Sequence, residues 1–306
     1  MRRARPARLR PGSRVALVAP SGPVNVSLLR RAIAILESWG LSVQVGEHVL
    51  DRHPTLSYLA GLDVHRAADL QRAWCDPTVD AVMCVRGGYG TMRMVDLLDW
   101  SAMLEAGPKL FTGSSDITAL HEAIGSRLNV VTLFSPLLAS EVSFDAGGQK
   151  HFQQTLFEPE SVLTLTGPAT TALGDGVGAG MIVGGNLSLL ASGVGEPGAF
   201  VPPDESLVLL EDVNEEPYRV DRMLTQLLRA GWFTGATGVA LGSWTGCEPL
   251  PEIRAVIADL LVGLGIPVVW ELGFGHCPDQ LTIPLGAEAT LDADQGTLTL
   301  AEPALS

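Results

Sequence analysis

Short apolar runs alternate with amphipathic stretches along the first half of the chain. Runs of three to five apolar residues are typical of buried strands, and apolar residues at helical spacing indicate helices. The expected strands are residues 15–19, 41–45, 81–85, 110–112 and 130–133, and the expected helices are 27–39, 64–74 and 117–124. This alternation predicts a mostly parallel sheet with crossover helices, in which ligands bind at the carboxyl ends of the strands.

The pattern changes between residues 140 and 180, where glycine and proline interrupt every period, most densely in the run 174–180. Beyond it, strands and helices alternate less regularly. The expected strands there are 207–210, 239–241, 268–270, 281–283 and 297–300, and the expected helices are 187–192, 218–230 and 253–264. We therefore predict an α/β protein with an N-terminal α/β domain (1–145), an interdomain connection (146–180) and a smaller mixed α/β C-terminal domain (181–306).

Charge and composition exclude several classes of protein. The net charge is −14, and six of the 20 basic residues are arginines within the first 14 positions, which leaves 14 basic against 34 acidic residues in the rest. Such a body repels nucleic acid and anionic membranes. The apolar stretch after the arginines is too short for a signal peptide, and no window reaches the length of a membrane span. We expect a cytoplasmic protein without a cofactor or metal, because no cysteine or histidine spacing is typical of a metal site.

The first candidate for chemistry is Gly113-Ser114-Ser115-Asp116, between an expected strand and an expected helix. A serine in a tight strand-to-helix turn is lifted out of the sheet, and the free N–H groups of the helix face the space above it. This arrangement supplies a nucleophile and part of an oxyanion hole. Serine and aspartate are also preferred helix N-caps, and the motif lacks the last glycine of G-x-S-x-G, so a capping role is the alternative.

A second candidate is the loop Arg86-Gly87-Gly88-Tyr89-Gly90, directly after the expected strand 81–85. Glycines let the backbone approach a ligand closely, and their N–H groups can hold an anion or a developing oxyanion. A plain turn is the alternative. The patterns of the known nucleotide-phosphate loops are missing, which also disfavours a flavodoxin-like cofactor protein.

Two further candidates follow strands of the second half. Glu211 ends the apolar run 207–210, where a carboxylate can orient an imidazole, although an ion pair with Arg219 or Arg222 would also account for it. His276 lies in a loop flanked by glycine, where a histidine is often merely solvated. Together with Ser115, the pair makes a workable set in which histidine accepts the serine proton and glutamate stabilises the imidazolium.

The chain resembles the LD-carboxypeptidase family of serine peptidases over nearly its whole length. The resemblance rests on spaced motifs in a consistent order: Ala19-Pro20-Ser21-Gly22, Ala60-Gly61, Asp76-Pro77, Val85-Arg86-Gly87-Gly88-Tyr89-Gly90, Gly113-Ser114-Ser115-Asp116-Ile117-Thr118-Ala119-Leu120, Gly184-Gly185-Asn186-Leu187, Leu210-Glu211-Asp212, Tyr218-Arg219-Val220-Asp221-Arg222-Met223-Leu224, Gly275-His276 and Pro284-Leu285-Gly286. So many motifs in one order make coincidence very unlikely.

The resemblance implies a role for each candidate. Ser115, rather than Ser114, would be the nucleophile, with Glu211 and His276 completing the triad. The backbone N–H groups of Gly88 and Asp116 would form the oxyanion hole. The family fold further implies an N-terminal domain that supplies the serine, a C-terminal domain that supplies the other two residues, a site between them, and a homodimer.

The implied activity is removal of the terminal D-alanine from a cytoplasmic murein tetrapeptide, in peptidoglycan recycling. A carboxypeptidase must also bind the terminal carboxylate of its substrate, and Arg86 and Arg93 are the nearest cations by sequence. Arg86 could instead hold its own loop in place.

Two alternatives use the same scaffold. One is a self-immunity peptidase that hydrolyses aminoacyl- or peptidyl-nucleotide antibiotics. Such relatives usually carry extra loop sequence, which is not evident between Leu210 and Gly275, where Trp244 is the aromatic candidate for stacking on a base. The other is a protein that binds cell-wall peptides without cutting them.

Overall fold

The computed structural model describes residues 2–140, 142, 144–196 and 200–306. Within these ranges the chain forms strands and α-helices in mixed order. The strands are β1 (Arg14–Val18), β2 (Ser42–Val45), β3 (Ala81–Cys84), β4 (Leu110–Gly113), β5 (Thr132–Phe134), β6 (Thr164–Leu165), β7 (Thr171–Gly174), β8 (Val177–Asn186), β9 (Ser206–Glu211), β10 (Ala236–Leu241), β11 (Val268–Trp270), β12 (Ile283–Leu285), β13 (Glu288–Asp292) and β14 (Thr297–Leu300).

The α-helices are α1 (Val26–Ser38), α2 (Asp63–Cys75), α3 (Trp100–Ala106), α4 (Thr118–Arg127), α5 (Ala146–Phe157), α6 (Leu187–Gly193), α7 (Pro217–Arg229) and α8 (Leu250–Leu261). Local sequence explains several of their starts. The Asn25 side chain accepts hydrogen bonds from the first-turn N–H groups of α1, and Pro217 occupies the first turn of α7, where its missing N–H costs nothing. In the described part of the chain, no helix combines the length and the apolar character that crossing a membrane requires.

The first sheet has the strand order β12-β5-β4-β3-β1-β2. β1 to β5 run parallel, and β12 pairs antiparallel with β5 at the edge. All four residues of β3 are buried, as expected for a central parallel strand covered on both faces. Pro284 lies within β12, and an edge strand tolerates proline because one of its sides needs no ladder hydrogen bond.

The second sheet has the order β6-β14-β13-β8-β9-β10-β11-β7. β8 to β11 run parallel, and the outer strands pair antiparallel. α6, α7 and α8 cover one face, where Val220, Leu224 and Leu227 of α7 are buried. The opposite face packs against the first sheet, as the perpendicular contact between Phe134 of β5 and Phe274 shows, with ring centroids 6.0 Å apart.

The α/β class and the two kinds of sheet, one mostly parallel and one mixed, are confirmed. The strand expected at 281–283 is found at Ile283–Leu285, and it joins the first sheet rather than the second. The segment 146–180, predicted as a connection, carries α5, β6, β7 and the start of β8 among its described residues. The second sheet therefore has more strands than the predicted smaller C-terminal domain implied. The domain boundaries at 145 and 181 remain predictions.

The arginine-rich segment of residues 2–14 packs against the rest of the protein. Ala4 pairs with Val130, Leu9 is buried, and Arg8 and Ser306 lie in adjacent backbone segments joined by the hydrogen bond from Arg8 N–H to Ser306 C=O. Burial lowers the pKa of Arg3 to about 10. Residues 2–14 therefore form part of the fold rather than a free tail.

Candidate active site

Ser115 lies where β4 ends and the chain turns into α4. It has a φ of 63°, a conformation that few residues other than glycine adopt and that indicates local strain. Ser114 before it is extended, and residues 115–117 form one 3-10 turn before α4 begins at Thr118. The strained corner is the geometry of a nucleophile turn, although the sequence lacks the last glycine of that motif.

The Asp116 side chain is fixed by residues from two other loops. One of its carboxylate oxygens accepts hydrogen bonds from Ser21 Oγ at 2.7 Å and from Thr91 N–H at 2.9 Å. The Thr91 hydroxyl donates to the Asp116 carbonyl at 2.5 Å. The capping alternative for this motif is therefore wrong. No side-chain cap bond forms at Ser114 before the 3-10 turn, Ile117 is the residue that precedes α4, and the Asp116 side chain instead joins the serine turn to neighbouring loops.

The loop after β3 lies against the serine. A methyl group added to Gly87 would come within 3.2 Å of Ser115 Oγ, so glycine allows this close approach. The Gly87 carbonyl accepts a hydrogen bond from Gly22 N–H at 3.0 Å. Because C=O and N–H point in opposite directions in a trans peptide, the N–H of Gly88 points away from Gly22.

Glu211 and His276 form the most direct pair in the site. Glu211 ends β9 with a fully buried side chain, and its Oε2 lies 2.6 Å from Nδ1 of His276, whose side chain is 25% exposed. A methyl group on Gly275 would lie 2.6 Å from the same carboxylate oxygen, and Gly275 has a φ of 98°. Glycine is therefore required where the histidine loop crosses the carboxylate.

The charge of Glu211 sets the protonation of this histidine. Burial alone would lower the pKa of His276, but the charge and the hydrogen bond of Glu211 outweigh it, so the pKa lies above its usual value. The nearby charge of Arg86 acts in the opposite direction. A carboxylate hydrogen-bonded to Nδ1–H leaves Nε2 as the nitrogen that can accept a proton.

A second buried carboxylate, Asp212, lies beside Glu211. Burial, followed by the charge of Glu211, raises the pKa of Asp212 to about 7. The Asn186 side-chain amide donates to both acids, at 3.1 Å to Glu211 Oε1 and at 3.0 Å to Asp212 Oδ1. Ser188 N–H donates to the other Asp212 oxygen at 2.9 Å. Asn186 thus holds two neighbouring acids in one arrangement.

Residues of the two sheets are connected next to the serine turn. Asn186 N–H, at the end of β8, donates to Thr118 Oγ1 at 3.0 Å, and Thr118 begins α4 directly after the serine turn. Arg86, in the loop that follows β3 of the first sheet, is among the charges that act on the pKa of His276. Asn186 thus connects the start of α4, next to the serine, to the buried Glu211 carboxylate by hydrogen bonds.

The two arginines considered for binding a substrate carboxylate have different environments. Arg93 makes a two-pronged ion pair with Asp63, with Nε and Nη2 at 3.0 and 2.8 Å from Oδ2. Arg66, buried beneath it, also contacts Asp63 and donates to the Gly90 carbonyl at 2.8 Å. Arg86 is exposed and has no ion pair with any residue that the structure describes.

Two positions in this site were not identified as functional residues from the sequence. Asn186 lies in a motif that contributed to the resemblance, but nothing marked its contact with both acids. His121 is buried beneath the serine corner, where Nε2 lies 2.9 Å from the Gly113 carbonyl and Nδ1 lies 2.8 Å from Thr132 Oγ1. Burial lowers its pKa to about 4, which indicates a neutral ring that holds the end of β4.

One group of described residues, outside the candidate site, has the composition of a metal site. His48 Nδ1 lies 2.8 Å and His65 Nδ1 3.5 Å from Asp51 Oδ2. The two rings stack with centroids 4.1 Å apart and an interplanar angle of 19°. The nitrogen lone pairs of a histidine lie in the plane of its ring, so two nearly parallel rings do not direct them toward one ion. Contact of both rings with the Asp51 carboxylate accounts for the arrangement without a metal.

The comparison with known families gives the class of the protein. Residues 15–135 match the LD-carboxypeptidase N-terminal domain, and residues 179–291 match the LD-carboxypeptidase C-terminal domain. These matches, together with the two-sheet fold, define a peptidase. The chain belongs to the LD-carboxypeptidase family, as its motifs indicated.

Individual relatives agree with this assignment. The chain is 56% identical over 303 residues to a putative carboxypeptidase of Streptomyces coelicolor, covering 98% of this chain and 97% of the relative. It is similar to the crystal structure of muramoyltetrapeptide carboxypeptidase from Oxalobacter formigenes, with a TM-score of 0.80, 30% identity and coverage of 94% and 98%. MccF in complex with glutamyl sulfamoyl guanosine shares the fold, with a TM-score of 0.85 at 21% identity and coverage of 99% of both chains.

Proposed function

We propose that the protein is a serine carboxypeptidase that hydrolyses the L-D peptide bond of murein tetrapeptide and releases the terminal D-alanine. The observation that carries this proposal is the buried Glu211 carboxylate 2.6 Å from His276 Nδ1, and the strained backbone of Ser115 at the end of β4 supports it. A serine hydroxyl becomes a good nucleophile when an imidazole takes its proton. A buried carboxylate holds the imidazole in the orientation that this transfer requires.

In the proposed reaction, Ser115 Oγ attacks the carbonyl carbon of the L-D bond while His276 Nε2 takes the hydroxyl proton. Negative charge develops on the carbonyl oxygen, and the N–H groups of Gly88 and Asp116 stabilise it. The C–N bond then breaks, the imidazolium returns its proton to the leaving amine, and D-alanine departs from an acyl-enzyme. Water activated by His276 cleaves the ester and restores the serine.

The substrate assignment draws on relatives. A structurally similar protein at 30% identity is a muramoyltetrapeptide carboxypeptidase, whereas the MccF complex, at 21% identity, supports only the fold. The aromatic residue considered for stacking on a nucleotide base does not favour the self-immunity alternative. Trp244 is 3% exposed and stacks on Trp270 with centroids 6.3 Å apart. Because the side chain is almost fully buried, its ring is not available to stack on a base.

A comparison of two neighbouring serines tests the proposal. Purified wild type, Ser115→Ala and Ser114→Ala are each incubated with murein tetrapeptide and, separately, with an aminoacyl sulfamoyl adenylate, and product release is followed by mass spectrometry. We expect wild type to release D-alanine and Ser115→Ala to lose that turnover by at least about 10³-fold. Ser114→Ala retains the catalytic hydroxyl and serves as the control for local packing.

Other results would support one of the alternative functions or contradict the mechanism. Hydrolysis of the adenylate with no action on the tetrapeptide would support the self-immunity alternative. Binding of the tetrapeptide without turnover by wild type would support a peptide-binding protein. Unchanged turnover in Ser115→Ala would contradict a serine mechanism altogether.

We further propose the cytoplasm as the place of action, as the sequence predicts, and a homodimer as the working form, as the family resemblance implies. Sedimentation equilibrium tests the second part. A dimer has twice the 32.3 kDa mass of the chain, and a single monomeric species at micromolar concentration would contradict it.

A further inference from the structure

We propose that Arg86 binds the terminal carboxylate of the substrate and thereby makes the enzyme an exopeptidase. This inference rests on the proposed function, because only a carboxypeptidase needs such a group. It assigns a specificity-determining role to a residue beside the candidate oxyanion loop.

The chemistry of the substrate limits where the cation can be. In a C-terminal residue, only the amide nitrogen and the Cα separate the scissile carbonyl carbon from the carboxylate carbon, so the two carbons are at most about 4 Å apart. A guanidinium binds a carboxylate with N–O distances of about 2.7–2.9 Å. The recognising cation must therefore come from the immediate surroundings of Ser115.

Arg86 meets this condition through its position in the chain. It immediately precedes Gly87, and a methyl group on Gly87 would lie 3.2 Å from Ser115 Oγ. The charge of Arg86 also acts to lower the pKa of His276. Arg86 therefore belongs to the loop whose backbone contacts Ser115, one residue from the point of contact.

The other two arginines near the loop are already used. Asp63 binds Arg93 through two nitrogens, and Arg66 is buried against Asp63 and the carbonyls of Pro20 and Gly90. An arginine whose guanidinium is already paired with one carboxylate binds a second carboxylate more weakly. Arg86 is exposed, and no described carboxylate pairs with it, so its charge is available to a ligand.

Binding of the carboxylate would also act on catalysis. The charge of Arg86 opposes protonation of His276, and a bound carboxylate neutralises that charge. His276 would then become more basic when a correct substrate is present. The same contact that selects a chain end would improve the general base.

The test compares murein tetrapeptide with the same peptide carrying a C-terminal amide. For wild type we expect kcat/KM to favour the free acid by about 10- to 100-fold, the range of a charged hydrogen-bonded contact. Arg86→Gln should reduce this preference to about twofold or less, mainly through a higher KM for the acid, and Arg86→Lys should restore part of it. Arg93→Gln is the matched control and should keep the wild-type preference.

A pH profile gives an independent readout. In Arg86→Gln the acid limb of kcat/KM should move to higher pH, because the charge that opposes protonation of His276 is gone. A wild-type preference retained by Arg86→Gln, or lost in Arg93→Gln, would overturn the inference. Equal cleavage of acid and amide by wild type would also overturn it while leaving the proposed peptidase intact, whereas cleavage of neither would refute the proposed function itself.

Discussion

The serine corner of the first sheet and the acid–imidazole pair of the second sheet are positioned by different means. Ser115 is held by backbone conformation, with a φ of 63° and a 3-10 turn anchored through Asp116. His276 is held by charge, through a carboxylate that has no exposure to solvent. The serine side should therefore be sensitive to local geometry, and the acid–imidazole side to charge and pH.

The largest expected effect comes from removing the charge while keeping the shape. Glu211→Gln should lower kcat by about 10³- to 10⁴-fold, because the neutral amide no longer fixes the imidazole or stabilises the imidazolium. Since Glu211 is what raises the pKa of His276, the acid limb of kcat/KM should lie above pH 6.5 in wild type and move down in the variant. Steady-state kinetics from pH 5 to 9 measure kcat and the position of the acid limb. An acid limb at the same pH in wild type and Glu211→Gln would contradict control of the His276 pKa by the Glu211 charge.

A matched pair of glycine substitutions tests the geometry on both sides. Gly275→Ala places a methyl group 2.6 Å from the Glu211 oxygen at a φ of 98°, so we expect about 1–3 kcal/mol of destabilisation and a loss in kcat of about 10²-fold. Gly87→Ala meets Ser115 Cβ at 3.0 Å and should lower kcat less. Only Gly275→Ala should shift the acid limb. An equal shift in both variants would erase the proposed difference between the two sides.

The smallest effect concerns Asp212. Its pKa rises from 3.8 in the unfolded chain to about 7 in the fold, so between these values the unfolded state loses a proton that the folded state keeps. Folding therefore becomes less favourable as pH rises from 4 to 7. Relative to Asp212→Asn, which does not titrate, wild type should lose a few degrees of Tm between pH 4 and 7.5. Calorimetry at both values measures this, and a constant difference in Tm would refute it.

Much of the fold is readable from local pattern. The fully apolar β3 and the amphipathic α7 were predicted within two residues, because each is dominated by its own burial period. β8 was missed for a physical reason. Its glycines indicated loops, yet a Cβ on Gly178 or Gly180 would lie 1.9 Å from a carbonyl oxygen of the adjoining backbone. These glycines permit close packing inside a strand, which no local pattern distinguishes from a turn.

The residues of the site also divide into those that local sequence identifies and those that depend on tertiary contacts. Ser115, Glu211 and His276 each follow a strand and could be identified one by one. Nothing local to Glu211 or His276 indicated their contact across 65 residues of sequence, so the family motifs were needed to select among the alternatives. Asn186 contacts Glu211, 25 residues away in sequence, and His121 contacts Gly113 and Thr132, 8 and 11 residues away. Their functions depend on tertiary neighbours, so a local pattern could not reveal them.

β12 has a consequence for how the polypeptide can be divided. This strand comes from the far end of the chain and covers the β5 edge of the first sheet. A fragment ending near residue 180 would leave that edge and Phe134 uncovered, and such unpaired edges promote aggregation. The serine-bearing half therefore depends on a late segment for its solubility, and a split version of the enzyme should be attempted with Ile283–Leu285 appended to the first fragment.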